Sequence, residues 1–322
     1  SNGALQPSNQ DDSFQHCQIF SKPGFGHWRL FNSFNYFLSM SKKIFPIILL
    51  VSLVINAGLA IKIYRLITPV SQPVPAVKQP VAAAQSFEEV NPSYGYEINA
   101  SYGDLGPKMI ANGVIDYNKF KETYQKSGQP LPADLDEILT KGSNKKIRIT
   151  SENSYFLLNF FWAVGLNNKS KILTSGDMVK YGGEKDLGNF ASTGGWNLAR
   201  GEPMNYYSKA NLISLTPQME GLVQTVASAI YRPCCNNSTA FPDCNHGMAL
   251  LGVLELMAAS GADQDQMFEA AKYFNAFWFP GNYYDLAVYF KTSKGLAFKD
   301  IDARLLLSKD YSSATGYQKY KQ

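Results

Sequence analysis

The sequence predicts a mainly α-helical fold: one bundle-like helical domain with long loops, carried behind an N-terminal transmembrane helix. Three observations lead there. Apolar residues recur at helical spacing in one segment after another of the C-terminal two-thirds of the chain. Ser, Thr or Asp precedes these segments and Gly or Pro follows them, as helix starts and stops require. No stretch alternates apolar with polar residues for long enough to imply a sheet, and no repeat of a solenoid's length is present.

The chain has 322 residues, 45% of them hydrophobic and 17% charged, which excludes a disordered chain and supplies a packed core. Its formal net charge is +4, but from Asn91 onward 23 basic residues face 22 acidic ones. Without a basic stripe to neutralise phosphates, no nucleic-acid partner is expected.

Residues 1–39 have no clear period and end at Met-Ser-Lys-Lys, so they read as an extension outside the folded protein, and His16, Cys17 and His27 are given no role. Residues 40–65 carry the apolar run Ile44 to Ile61, flanked by Lys42 and Lys43 on one side and Lys62 and Arg65 on the other. An eighteen-residue helix is about 27 Å long, close to a bilayer core. The expectation is a retained signal anchor: a single-pass cell-membrane protein whose only membrane contact is this helix, with the rest of the chain outside the cytoplasm. Residues 66–93 are rich in Pro and Ala and form a semi-rigid linker. The folded domain is expected over residues 94–322.

Within that domain, "VIDYNKFKETYQKSG" and "LPADLDEILTKG" are amphipathic helices, the second ending on Gly142. "ITSENSYFLLNFFWAVGLNN" starts at a Thr150 or Ser151 cap and is apolar enough to be central. The Gly-rich stretch between Gly176 and Pro203 reads as a long ordered loop, with "STGGW" a flexible loop within it. "LTPQMEGLVQTVASAIYRP" has Thr216 as cap, Pro217 at the first helical position and Pro233 as its stop. "NHGMALLGVLELMAASG", "ADQDQMFEAAKYFNAFWFPG" and "YYDLAVYFKTSKG" follow as three further helices. The aromatic residues of the last two pack into the core, and Glu255 is expected at a rim, about 16 Å along its helix from Cys244.

Chemistry concentrates in "YRPCCNNSTAFPDCNHGM". Three of the four cysteines lie here, with the only histidine after residue 27. Pro233 ends a helix, Cys234 and Cys235 open a loop, and Asp243 or Asn245 caps the next helix, placing Cys244 and His246 at its first turn. A helix N-terminus carries free N–H groups and partial positive charge, which favour thiolate. The expected metal ligands are Cys234, Cys235, Cys244 and His246, a donor set suited to zinc or to copper, with Met248 able to add a thioether. The spacing C-C-x8-C-x-H also allows a thiol-disulfide protein with Cys244 as the reactive sulfur, or a structural disulfide staple. No Ser-His-Asp triad can form, since His246 is the domain's only histidine.

The Pro-Cys-Cys to Asp-Cys-Asn-His-Gly stretch resembles a signature of N-terminally anchored bacterial envelope proteins, and "YGDLGP", "NSYFLLNFFWAVGL" and "FASTGGW" are similar to further parts of it. More remotely, a Pro-Cys-rich loop before a Cys-containing helix is similar to the PCYCGC-motif lipoproteins, which have alternating cysteines where this chain has Pro-Cys-Cys. The resemblance implies a bacterial cell-envelope setting and a sulfur-centred site, and no particular activity.

Overall fold

The computed structural model describes residues 86–128 and 130–321. The expected extension at 1–39, the anchor at 40–65 and most of the linker at 66–93 lie outside these described residues. Among the described residues no helix is long and apolar enough to cross a membrane.

The fold is mainly helical, as the sequence predicts, with one small sheet. Packing begins at α1 (Phe87–Val90), where Val90 is buried and Asn91 donates through Nδ2 to the Ala276 carbonyl. Strand β1 (Tyr96–Gly103) then leads to α2 (Leu105–Asn112), α3 (Tyr117–Lys126) and α4 (Ala133–Lys141), and strand β2 (Ser143–Ile149) returns antiparallel to β1. The pairing runs from Tyr96 opposite Ile149 to Gly103 opposite Ser143, with two irregularities in register. The sequence reading finds no sheet here, although β1 alternates, with Ile98, Ala100 and Tyr102 buried between Glu97, Asn99 and Ser101; β2 alternates only at its end, where Ile147 and Ile149 are buried and Asn144, Lys145 and Lys146 are exposed.

Helix α5 (Ser154–Asn167) is the first of two central rods. Its cap is Asn153 rather than Thr150 or Ser151: Asn153 Oδ1 accepts from the Thr150 amide, so those residues form a turn before the helix. Short α6 (Lys171–Ser175) and kinked α7 (Asp177–Asp186) follow, then α8 (Pro217–Ala229), capped by Thr216 as the sequence predicts. The second rod is α9 (Asn245–Ala259), apolar on nearly every face and buried from Gly247 to Glu255. Helices α10 (Gln264–Trp278) and α11 (Pro280–Lys294) close the core, with three one-turn helices after Asp302.

The rods meet backbone to backbone. A Cβ on Gly165 would collide with the Met248 carbonyl, and one on Gly252 would stand 2.7 Å from the Phe161 carbonyl and 2.9 Å from the Gly165 nitrogen. Two glycines thus let α5 and α9 touch without side chains between them, which fixes the N-terminus of α9 against the core.

The Gly-rich stretch is packed. Ser192 and Thr193 are fully buried, Trp196 donates through Nε1 to the Val114 carbonyl at 2.7 Å, and Trp162 donates to the Ser192 carbonyl at 2.7 Å. A Cβ on Gly194 would strike the Gly188 carbonyl and one on Gly195 the Ala191 carbonyl, so these glycines serve tight turns rather than flexibility. Glu255 is fully buried, not at a rim: its Oε2 accepts from Asn168 Nδ2 at 2.9 Å.

Candidate metal centre

Helix α8 ends where Ile230 turns extended, and the following loop folds back over that end. Thr239 and Ala240 donate from their backbone amides to the Ile230 and Ala227 carbonyls, while Ala314 from the C-terminal turns donates to the Cys235 carbonyl. The loop is therefore tied at both margins before it reaches Cys244.

Cys244 is itself the cap of α9. Its backbone is extended (φ −119°, ψ 163°) and its sulfur accepts from the Gly247 amide at 3.4 Å, the role a Ser or Asp oxygen fills elsewhere. Neither Asp243 nor Asn245, the residues expected from sequence, is the cap. The free amides and the helix dipole that favour anionic sulfur thus act directly on Cys244.

Arg232 organises the floor. It is fully buried, and its Nε donates to Cys244 Sγ at 2.9 Å. One terminal nitrogen donates to Asp243 Oδ1 at 2.9 Å and the other to the Asn237 carbonyl at 3.1 Å. Asn237 Nδ2 in turn donates to Asp243 Oδ2 at 2.7 Å. Gly247 is obligatory beneath this fork: a Cβ there would collide with the guanidinium.

The three cysteines are free thiols, and Cys234 Sγ lies 3.4 Å from Cys244 Sγ. One ligand atom each from Cys234, Cys244 and His246 lies within 4.8 Å of the others. A tetrahedral ion with metal–sulfur bonds of about 2.3 Å and metal–nitrogen bonds of about 2.05 Å needs ligand separations of about 3.6–3.8 Å. Small side-chain adjustments therefore close this set on an ion. The His246 ring lies against Phe279 at 4.3 Å between centroids, and its Nδ1 is buried without a hydrogen-bond partner among the described residues. A bound ion would engage one ring nitrogen of His246 together with the Cys234 and Cys244 sulfurs.

Cys235 falls in a different group. With Asp243 and Cys244 it forms a second set whose ligand atoms also lie within 4.8 Å of one another. The structure thus gathers all four residues named from sequence around Cys244, but not on one point.

The charges follow the geometry. Burial alone pushes the Cys244 thiol up, but hydrogen bonds from Cys234 and Cys235, the Arg232 charge and His246 hold it well below the usual thiol range. Its neighbours go the other way. Hydrogen bonds to Cys235 and Cys244, then burial, raise the Cys234 thiol; Cys235, pulled down by Cys234 but raised by Cys244 and burial, reaches about 12. Of the three sulfurs, Cys244 is thus the one whose thiolate form its surroundings favour. Burial disfavours the Arg232 charge, yet the thiols and Asp243 around it keep that charge firmly in place.

Arg232 and Gly247 are the site residues that sequence reasoning misses, and Asp243 is there only as a possible cap. Their one sequence signal is position, directly before Pro-Cys-Cys and directly beside Cys244 and His246. No family model, curated protein or solved structure matches the chain.

Proposed function

We propose that this protein binds a transition-metal ion, zinc or copper, through Cys234, Cys244 and His246, for metal capture, sensing or trafficking. The observation that carries the reading is the meeting of three ligand atoms, two sulfurs and a ring nitrogen, within 4.8 Å of one another at a helix start. Two sulfurs and one imidazole leave a tetrahedral ion one open position, as exchangeable and catalytic zinc sites do and closed structural sites do not. With the anchor expected at 40–65, the domain would work outside the cytoplasm in a bacterial cell envelope.

A thiol-disulfide protein using Cys244 is the second reading, favoured by the 3.4 Å sulfur–sulfur contact. Against it, Cys244 is only 2% exposed, which leaves little access for a substrate disulfide.

Elemental analysis of the reduced, purified full chain tests the proposal. One zinc or copper per chain, lost in a Cys244→Ser variant that still folds, supports it. A metal-free chain that takes up neither ion on titration overturns it.

A further inference from the structure

The two ligand sets around Cys244 carry more than a single binding event. Adjacent in sequence, Cys234 and Cys235 both reach Cys244 but differ in their other partners: Cys234 Sγ lies 3.4 Å from Cys244 Sγ, whereas Cys235 Sγ also lies 3.8 Å from the Asn237 carbonyl oxygen. Cys235 groups with Asp243 and Cys244, Cys234 with Cys244 and His246, and only the Cys244 sulfur belongs to both.

Asp243 is held ready rather than consumed. Arg232 donates to its Oδ1 and Asn237 to its Oδ2, one bond to each oxygen. A carboxylate offers about four lone-pair sites, so these bonds leave it capacity for a cation. The same guanidinium donates to the shared sulfur, so the Cys244 sulfur and the Asp243 carboxylate sit on one rigid fork.

We infer that Cys235, Asp243 and Cys244 form a second position for the same ion, and that the ion passes between the two sets by pivoting on Cys244. This rests on the metal-binding reading above and narrows it to ion transfer. In the step, the metal–Cys235 and metal–Asp243 bonds break while bonds to Cys234 and His246 form, and the bond to Cys244 persists. No electrons move; the proton leaving Cys234 balances the one returning to Cys235. Because one thiolate bond persists throughout, the ion is never stripped of protein ligands inside a buried site, where a bare charge is most costly.

The experiment uses the reduced full chain and cadmium(II) as probe, with stoichiometry from titration, ligand type from ¹¹³Cd chemical shift, and circular dichroism to confirm folding. Wild type is expected to bind one ion. His246→Ala is expected still to bind one, with a chemical shift that reports replacement of nitrogen by oxygen. Cys235→Ser in the His246→Ala background is expected to lose the ion altogether. If folded His246→Ala binds nothing, or if the double variant binds as well as His246→Ala, the second position is refuted and the first site stands. If wild type binds no cadmium, zinc or copper, the metal reading itself falls, and the transfer inference with it.

Discussion

Arg232 Nε donates to Cys244 Sγ at 2.9 Å with both groups buried, and the same guanidinium forms an ion pair with Asp243 inside the protein. Removing one member of such a pair strands the other without solvent. Arg232→Met should therefore cost about 3–5 kcal/mol in chemical unfolding. Arg232→Lys, which keeps the charge but cannot serve sulfur, carboxylate and carbonyl at once, should fall between. Equal unfolding midpoints for wild type and Arg232→Met would show that the pair contributes nothing.

Gly247 lies under the guanidinium, and any Cβ must displace it. Gly247→Ala should destabilise by about 1–3 kcal/mol, as overpacking does. It should also weaken zinc binding, by moving the donor that orients Cys244. Calorimetric titration beside a melting curve separates the two effects, and unchanged affinity would show that Arg232 does not set the sulfur's position.

The seam between α5 and α9 makes a further stability test, since Gly165 meets backbone rather than any site side chain. At Gly165 the backbone of α9 leaves no room for a methyl group. Gly165→Ala should cost at least as much as the 1–3 kcal/mol or so typical of an overfilled core. Urea unfolding reads it, and a neutral result would mean that the rods can separate at little cost.

Glu255 supplies a pH dependence. Burial pushes its carboxyl from the ordinary 4.5 up to about 8, with Asn168 and Ser170 opposing and Glu220 adding to the rise. Between those values the folded protein holds a proton that the unfolded chain gives up. Stability should accordingly fall as pH rises from about 4.5 to 8, by at most about 1.4 kcal/mol per unit, and level off above. Glu255→Gln, which mimics the protonated acid, should flatten that part of the profile and gain stability relative to wild type at pH 8. Parallel profiles for the two proteins would refute the assignment.

Much of the helical fold is legible in the sequence, because its signals are local. Thr216 caps α8, Pro217 sits at its first position, and Gly295 ends α11 in a left-handed turn. The sheet escapes although β1 alternates from Glu97 to Gly103, because the run is short, β2 alternates only over its last residues and the two strands are separated by three helices. Glu255 is misplaced for another reason: on a helix apolar all round, one acid has no polar face to mark its direction. The site is half legible. Its cysteines and histidine announce themselves by rarity, whereas their division into two sets depends on where Arg232 and Asn237 hold Asp243, and no spacing in the chain encodes that.

The glycine seam has a consequence for motion. Cys244, Gly247 and Met248 form the first turn of a helix welded to the central rod, so no small, local opening can expose that turn alone. Amide hydrogens there should exchange with solvent only as fast as the whole core breathes. The ligand cradle then behaves as part of the most persistent unit of the molecule, keeping its shape from one ion to the next.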